Sequence, residues 1–231
     1  MSFPPTMQSS FAVDSITLHR IEGVLEHFFP TVVGTFQELL IQTGAHIMGS
    51  LPLFSMKPAW ENWAMPGDCD IYLAPTIPAQ IRSWDTSIAD ERMIDNIRQF
   101  YHFLGANGYD SPGEAEHEDG YPYPERFWVR TFTNTTRGAP IKVQLILPSD
   151  FSSLSHFWHL EIMYTFDITI CCVGYDGRAF HVTSDNSDPA FEIGWVRRYH
   201  HTTPERIMKY EQRGFRITNP FARFLPIPLD Q

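Results

Sequence analysis

Residues 45–75, AHIMGSLPLFSMKPAWENWAMPGDCDIYLAP, constrain this chain more than any other stretch. They read as a short apolar strand closing on Gly49-Ser50, an irregular aromatic loop over 51–66, and a strand that opens Asp68-Cys69-Asp70. Side chains alternate faces along a strand, so Asp68 and Asp70 share one face and Cys69 takes the other. The two aspartate Cα atoms then stand about 6.6 Å apart, two strand rises. Carboxylates that close repel unless a cation lies between them. An oxygen-rich site of this kind suits Mg²⁺, with Mn²⁺ the alternative, together with bound phosphate.

The order apolar strand, Gly-Ser, gap, Asp-x-Asp-apolar resembles the signature of the DNA polymerase β-type nucleotidyltransferase superfamily. The resemblance covers residues 37–147 and is clearest around the two motifs. A softer likeness lies in Pro204-Glu-Arg-Ile-Met-Lys-Tyr-Glu-Gln-Arg-Gly214-Phe, which looks like a tail of nucleotidyltransferase-like proteins from fungi and large viruses. The resemblance implies an α+β fold with a mixed sheet of about five strands, helices mostly on one face and a C-terminal helical tail. It implies that Gly49 and Ser50 face the phosphates of a nucleoside triphosphate and that Asp68 and Asp70 bind the catalytic metal; Lys57, the one cation of the 51–66 loop, is expected to face the same phosphates. A glycine suits a turn where backbone approaches phosphate closely. The family's third metal-binding carboxylate stands on a later strand. Here the candidate, Ile141-Lys142-Val143-Gln144-Leu145, offers Lys142 and Gln144 at its polar positions. Asp167 is the substitute carboxylate, although an aspartate heading a strand more often caps or turns the backbone.

Composition narrows the function classes. The net charge of −10 does not support general nucleic-acid binding. Charge is uneven, however: between Trp195 and Arg223, Arg197, Arg198, Arg206, Lys209, Arg213, Arg216 and Arg223 face only Glu205 and Glu211. That segment is either a solvated helix face or a basic edge near substrate phosphates. No apolar run approaches the roughly 18 residues of a membrane span. The first residues, MSFPPTMQSS, lack the basic-then-apolar order of a signal peptide. Cys69, Cys171 and Cys172 are sparse and include an adjacent pair, so a reducing, intracellular and cytoplasmic setting is expected.

Along the chain, Leu18, Ile21, Leu25 and Phe28 recur at helical spacing before Pro30, and Val32, Phe36, Leu39 and Leu40 form a second helix that Gly44 caps. Trp60 and Trp63 either stack on a base or pin the loop to the core. Met93, Ile97, Phe100 and Leu104 predict a helix capped by Gly105, and residues 107–124 a long loop with Glu114, Glu116, Glu118 and Asp119 around His117. Residues 126–133 and 141–147 alternate as a hairpin. Residues 152–164 read as a helix carrying His156 and His159, and residues 166–172 as a strand before the turn at Tyr175-Asp176-Gly177. A short edge strand is expected at 181–184. Two helices are expected in the tail, the second with Thr203 as N-cap, Pro204 as first helical residue and Gly214 as its end. The division is a nucleotidyltransferase-like domain over 1–185 and a helical extension over 186–231 on the same core.

Two functions of different class follow. One is an enzyme that binds Mg-nucleoside triphosphate and transfers a nucleotidyl group to a hydroxyl acceptor, through Asp68 and Asp70. The other is a catalytically impaired nucleotidyltransferase-like binding module, which the missing third carboxylate favours. A metallohydrolase built on His156 and His159 is a distant third.

Overall fold

The computed structural model describes residues 15–56, 65–73, 91–110, 127–136, 138–148, 158–183 and 192–219. The chain opens with α1 (Ser15–Phe28) and α2 (Val33–Thr43). Both present apolar residues at helical spacing, with Ile21, Leu25 and Phe28 of α1 and Phe36, Leu39 and Leu40 of α2 buried. Gly44 ends α2 at φ 66° as expected. It delivers the backbone into β1 (His46–Met48), whose neighbour is β2 (Asp68–Tyr72).

Between them lies a correction. The segment expected as a loop from residue 51 begins with α3 (Ser50–Met56). Pro52 does not prevent this, because amides in the first helical turn have no intrahelical acceptor. Leu51 and Leu53 are buried, and the Leu53 amide donates to the Gly49 carbonyl. Next come α4 (Glu91–Ala106), β3 (Phe127–Asn134) and β4 (Ile141–Pro148). Helix α4 runs through Gly105, and the left-handed residue beyond its end is Gly108 at φ 78°. The hairpin of β3 and β4 is antiparallel as expected, pairing Phe127 with Pro148 and Asn134 with Ile141.

After α5 (Trp158–Met163) come β5 (Val173–Tyr175) and β6 (Phe180–Val182). Residues 166–172, expected as a strand, instead contain a 3-10 turn over Thr169–Cys171. The run from Asp167 to Tyr175 is buried throughout, so burial gives no alternation to mark where a strand starts. The backbone of this stretch is also bound by the C-terminal segment, since the Asp167 carbonyl accepts from the Arg197 amide at 2.7 Å.

The sheet is mixed and six-stranded, in the order β3-β4-β2-β1-β5-β6. The Gly-Ser and Asp-x-Asp strands are adjacent and antiparallel, and β2 runs parallel to β4. Alternation along β2 and β4 sets the two faces. Cys69, Ile71, Val143 and Leu145 join the main core with residues of α1 to α4, whereas Tyr72 and Ile146 pack with Trp158, Ile162 and Met163 of α5. Most helices therefore cover one face.

The C-terminal segment is not wholly helical. It contains β7 (Ile193–Trp195), α6 (Thr203–Gln212) and β8 (Arg216–Thr218), with β7 and β8 paired in parallel. Strands of three residues are too short to show a period in the sequence. Tyr210 and Phe215 belong to the main core. No helix among the described residues is long and apolar enough to cross a membrane, and all three cysteines are buried free thiols.

Gly177 shows how tightly the β5–β6 turn sits on α2. Its φ is 96°, and a Cβ there would lie 2.6 Å from the Gln37 carbonyl oxygen. Gly138 has φ 93° with nothing within 4 Å of a Cβ. Gly138→Ala should cost about 1–2 kcal/mol for the left-handed backbone alone. Gly177→Ala should cost about 1–3 kcal/mol more, through overlap. Urea denaturation of the two variants checks this, and equal losses would show that contact with α2 does not restrict Gly177.

Candidate functional site

The side of β2 that faces away from the main core carries Asp68 and Asp70, both partly accessible. Their neighbours follow from register: Asp68 pairs with Lys142 and Asp70 with Gln144 on β4. On the other flank, β1 turns at Gly49, φ 93°, into Ser50 at the start of α3. The Gly49 amide donates to the Val173 carbonyl at 2.9 Å, which fixes the turn against β5. These residues converge on a cavity of about 310 Å³ that is also lined by Asp167, Arg206, Lys209 and Tyr210. Gly49, Ser50, Asp68 and Asp70 are thus together. Lys57 lies outside the described residues, as do Trp60, Trp63, the acidic cluster around His117, and His156.

The electrostatics of the cavity are mixed. Burial pushes the Cys69 thiol well up, and the nearby carboxylates of Asp70 and Asp68 push it further in the same direction. That thiol is inert core rather than a nucleophile. Lys142 is exposed, and Gln144 is almost fully buried, with its side-chain amide donating to the Thr131 hydroxyl at 3.2 Å. Across the cavity, Lys209 is held below the ordinary lysine value by burial and by Arg213, against the opposing pull of Asp68. The basic C-terminal segment is therefore partly a wall of this cavity, and its Arg206 and Lys209 face the two aspartates' side of the sheet.

Asp167 lines the same space but is committed elsewhere. Its carboxylate is buried, with Arg206 3.2 Å from one oxygen and the Thr203 hydroxyl donating to the other at 3.0 Å. The expected N-cap is corrected at the same point: α6 starts at Thr203, whose hydroxyl serves Asp167 instead of the helix amides. Asp167 thus ties α6 to the segment just before the 3-10 turn, and its carboxylate is already engaged by Arg206 and Thr203.

Sequence spacing singled out His156 with His159. The structure instead surrounds His159 with His46 and His181, from β1 and β6. These partners are over 100 and over 20 residues away in the chain, and no local motif signals them.

Breaking the Asp167–Arg206 pair should loosen α6. Asp167→Asn should cost about 1–3 kcal/mol, below the full value for a buried pair because the Arg206 side chain is 36% exposed. A double-mutant cycle with Arg206→Met, followed by urea denaturation, should give a coupling energy clearly above zero. Additive losses would mean that the pair does not act as a unit.

Comparison with known proteins adds no family assignment: no protein-family model matches the chain, and no curated protein matches it either.

Proposed function

We propose that the cavity binds a magnesium nucleoside triphosphate and that the chain is a nucleotidyltransferase-like protein acting on a hydroxyl acceptor. What supports this is one arrangement: two carboxylates on one face of β2, flanked by the Gly49-Ser50 turn and faced by Arg206 and Lys209. The donor set fits the ion, because Mg²⁺ prefers oxygen ligands and takes one or two carboxylates together with substrate phosphates. Asp68 and Asp70 would hold it, and when bound it would neutralise charge at the reacting phosphate and acidify the attacking hydroxyl. The chain's own contribution is positional. The Gly49-Ser50 turn, held by the Gly49 amide on Val173, offers the Ser50 hydroxyl to phosphate oxygens. Arg206 and Lys209 offer positive charge on the opposite wall. Lys57 is proposed as a further phosphate contact from the sequence.

A second reading, a module that keeps nucleotide binding with little or no transfer, is favoured by the β2–β4 register. The neighbour of Asp70 is Gln144, and that of Asp68 is Lys142. A neutral amide can lend an oxygen to a metal but no charge to anchor a second one or to assist deprotonation. An ammonium beside Asp68 competes for the same carboxylate. Metal affinity is then weak and transfer slow.

Titration calorimetry with ATP and Mg²⁺ tests the site. Asp68→Asn with Asp70→Asn should weaken nucleotide binding at least tenfold, about 1.4 kcal/mol, without loss of fold, since it removes carboxylate repulsion. Unchanged affinity would mean that the site is elsewhere. Gln144→Asp, alone or with Lys142→Ala, should raise Mg²⁺ affinity. If the unaltered protein turns nucleotide over briskly and Gln144→Asp slows it, the second reading fails.

A further inference from the structure

A second cluster of ligating side chains, none of them lining the aspartate cavity, gathers beside the same sheet and belongs to neither reading above. His46 opens β1, His159 lies on α5 and His181 on β6. One ring nitrogen of each falls within 4.8 Å of those of the other two. His46 and His159 are buried and their rings are stacked, 4.5 Å between centroids at 11°. The His181 ring meets His159 at 4.6 Å and 61°. Trp158 closes the cluster edge-on to His46 at 5.1 Å.

The hydrogen bonds determine which nitrogens are available. His46 Nδ1 lies 3.2 Å from the Gly44 carbonyl oxygen. A carbonyl only accepts, so Nδ1 carries the proton and Nε2 keeps its lone pair. His181 Nε2 lies 2.9 Å from Asp176 Oδ2, while Oδ1 of the same carboxylate accepts the amides of Arg178 and Ala179. That carboxylate is built as an acceptor, which places the His181 proton on Nε2 and leaves Nδ1 free. His159 Nδ1 is buried with no hydrogen-bond partner among the described residues. Buried ring nitrogens are normally satisfied, so this one points to a ligand that completes it.

We propose that His46, His159 and His181 form a binding site for a divalent transition metal of the zinc type, with Asp176 and the Gly44 carbonyl orienting two of the ligands from behind. A carboxylate or carbonyl bonded to the far nitrogen is the usual outer partner of a metal-binding histidine. Three imidazoles suit Zn²⁺ and its neighbours and do not suit Mg²⁺, so the site is chemically separate from the aspartate pair. Burial, reinforced by His181, lowers His46 to about 4. Burial, reinforced by His46 and His181, lowers His159 to about 3. Both rings are thus neutral and able to coordinate at neutral pH. A tetrahedral ion with bonds of about 2.0–2.1 Å needs ligand nitrogens about 3.3 Å apart. The His46–His159 stack therefore opens on binding, by rotation about the terminal side-chain torsion, which is soft for histidine.

The experiment uses the full chain, stripped with chelator and titrated with Zn²⁺ alone in excess Mg²⁺. The unaltered protein should take up one equivalent tightly and melt at a higher temperature when loaded. Co²⁺ in its place should give the visible absorption of a low-symmetry nitrogen site. His159→Gln and His181→Gln should each weaken Zn²⁺ binding by more than tenfold, and Asp176→Asn by about 10–100-fold. His181 is partly exposed, so its variant carries the test if His159→Gln does not fold. Asp68→Asn with Asp70→Asn should leave Zn²⁺ affinity unchanged, whatever becomes of nucleotide binding. No zinc uptake above the Mg²⁺ background, or equal uptake in the unaltered protein and the histidine variants, would overturn the proposal. So would zinc binding that disappears with the two aspartates.

Discussion

The two-sidedness of β2 is the constraint on which the rest depends. Cys69 and Ile71 enter the main core while Asp68 and Asp70 remain on the opposite side, because successive side chains of a strand leave in opposite directions. A slip of one residue would remove Ile71 from the core, a loss of about 1.5–3 kcal/mol, and drive a carboxylate into it at greater cost. The register is therefore strongly held. The same register carries over to β4, where Val143 and Leu145 join the core and Lys142 and Gln144 are left beside the aspartates. The polar composition of the cavity is thus a by-product of core packing.

What closes the cavity comes from far along the chain. Asp167 is the anchor: its carbonyl receives the Arg197 amide and its carboxylate meets Thr203 and Arg206. Tyr210 and Phe215, further on, enter the main core. The positive charge of the C-terminal segment reaches the sheet through these contacts, so part of a chain that is acidic as a whole presents cations to an acidic face. The cavity therefore has an acidic wall, Asp68 and Asp70 of β2, and a basic wall, Arg206 and Lys209 of α6.

Two donor chemistries share one sheet without mixing. The aspartates of β2 offer oxygen, and the histidines of β1, α5 and β6 offer nitrogen. Strand β1 links them, with His46 at its start and the Gly49-Ser50 turn just past its end. Hard and borderline cations prefer different donors, so on the two proposals above each cluster would take its own class of ion.

The sequence by itself determined whatever depends on neighbours a few residues apart. The apolar spacing of α1, α2 and α4, the left-handed glycine after α2, the alternation of β3 and β4, and the common face of Asp68 and Asp70 are local consequences of helix and strand periods. Elements without a full period were not legible: α3 behind a proline in its first turn, the 3-10 turn inside a wholly buried run, and the three-residue strands β7 and β8. The candidate site divides in the same way. Asp68 and Asp70 declare themselves within three residues. The commitment of Asp167 to α6 and the meeting of His46, His159 and His181 were decided only by tertiary structure, because side chains so far apart in the chain become neighbours through sheet order and helix docking, for which no local pattern is required.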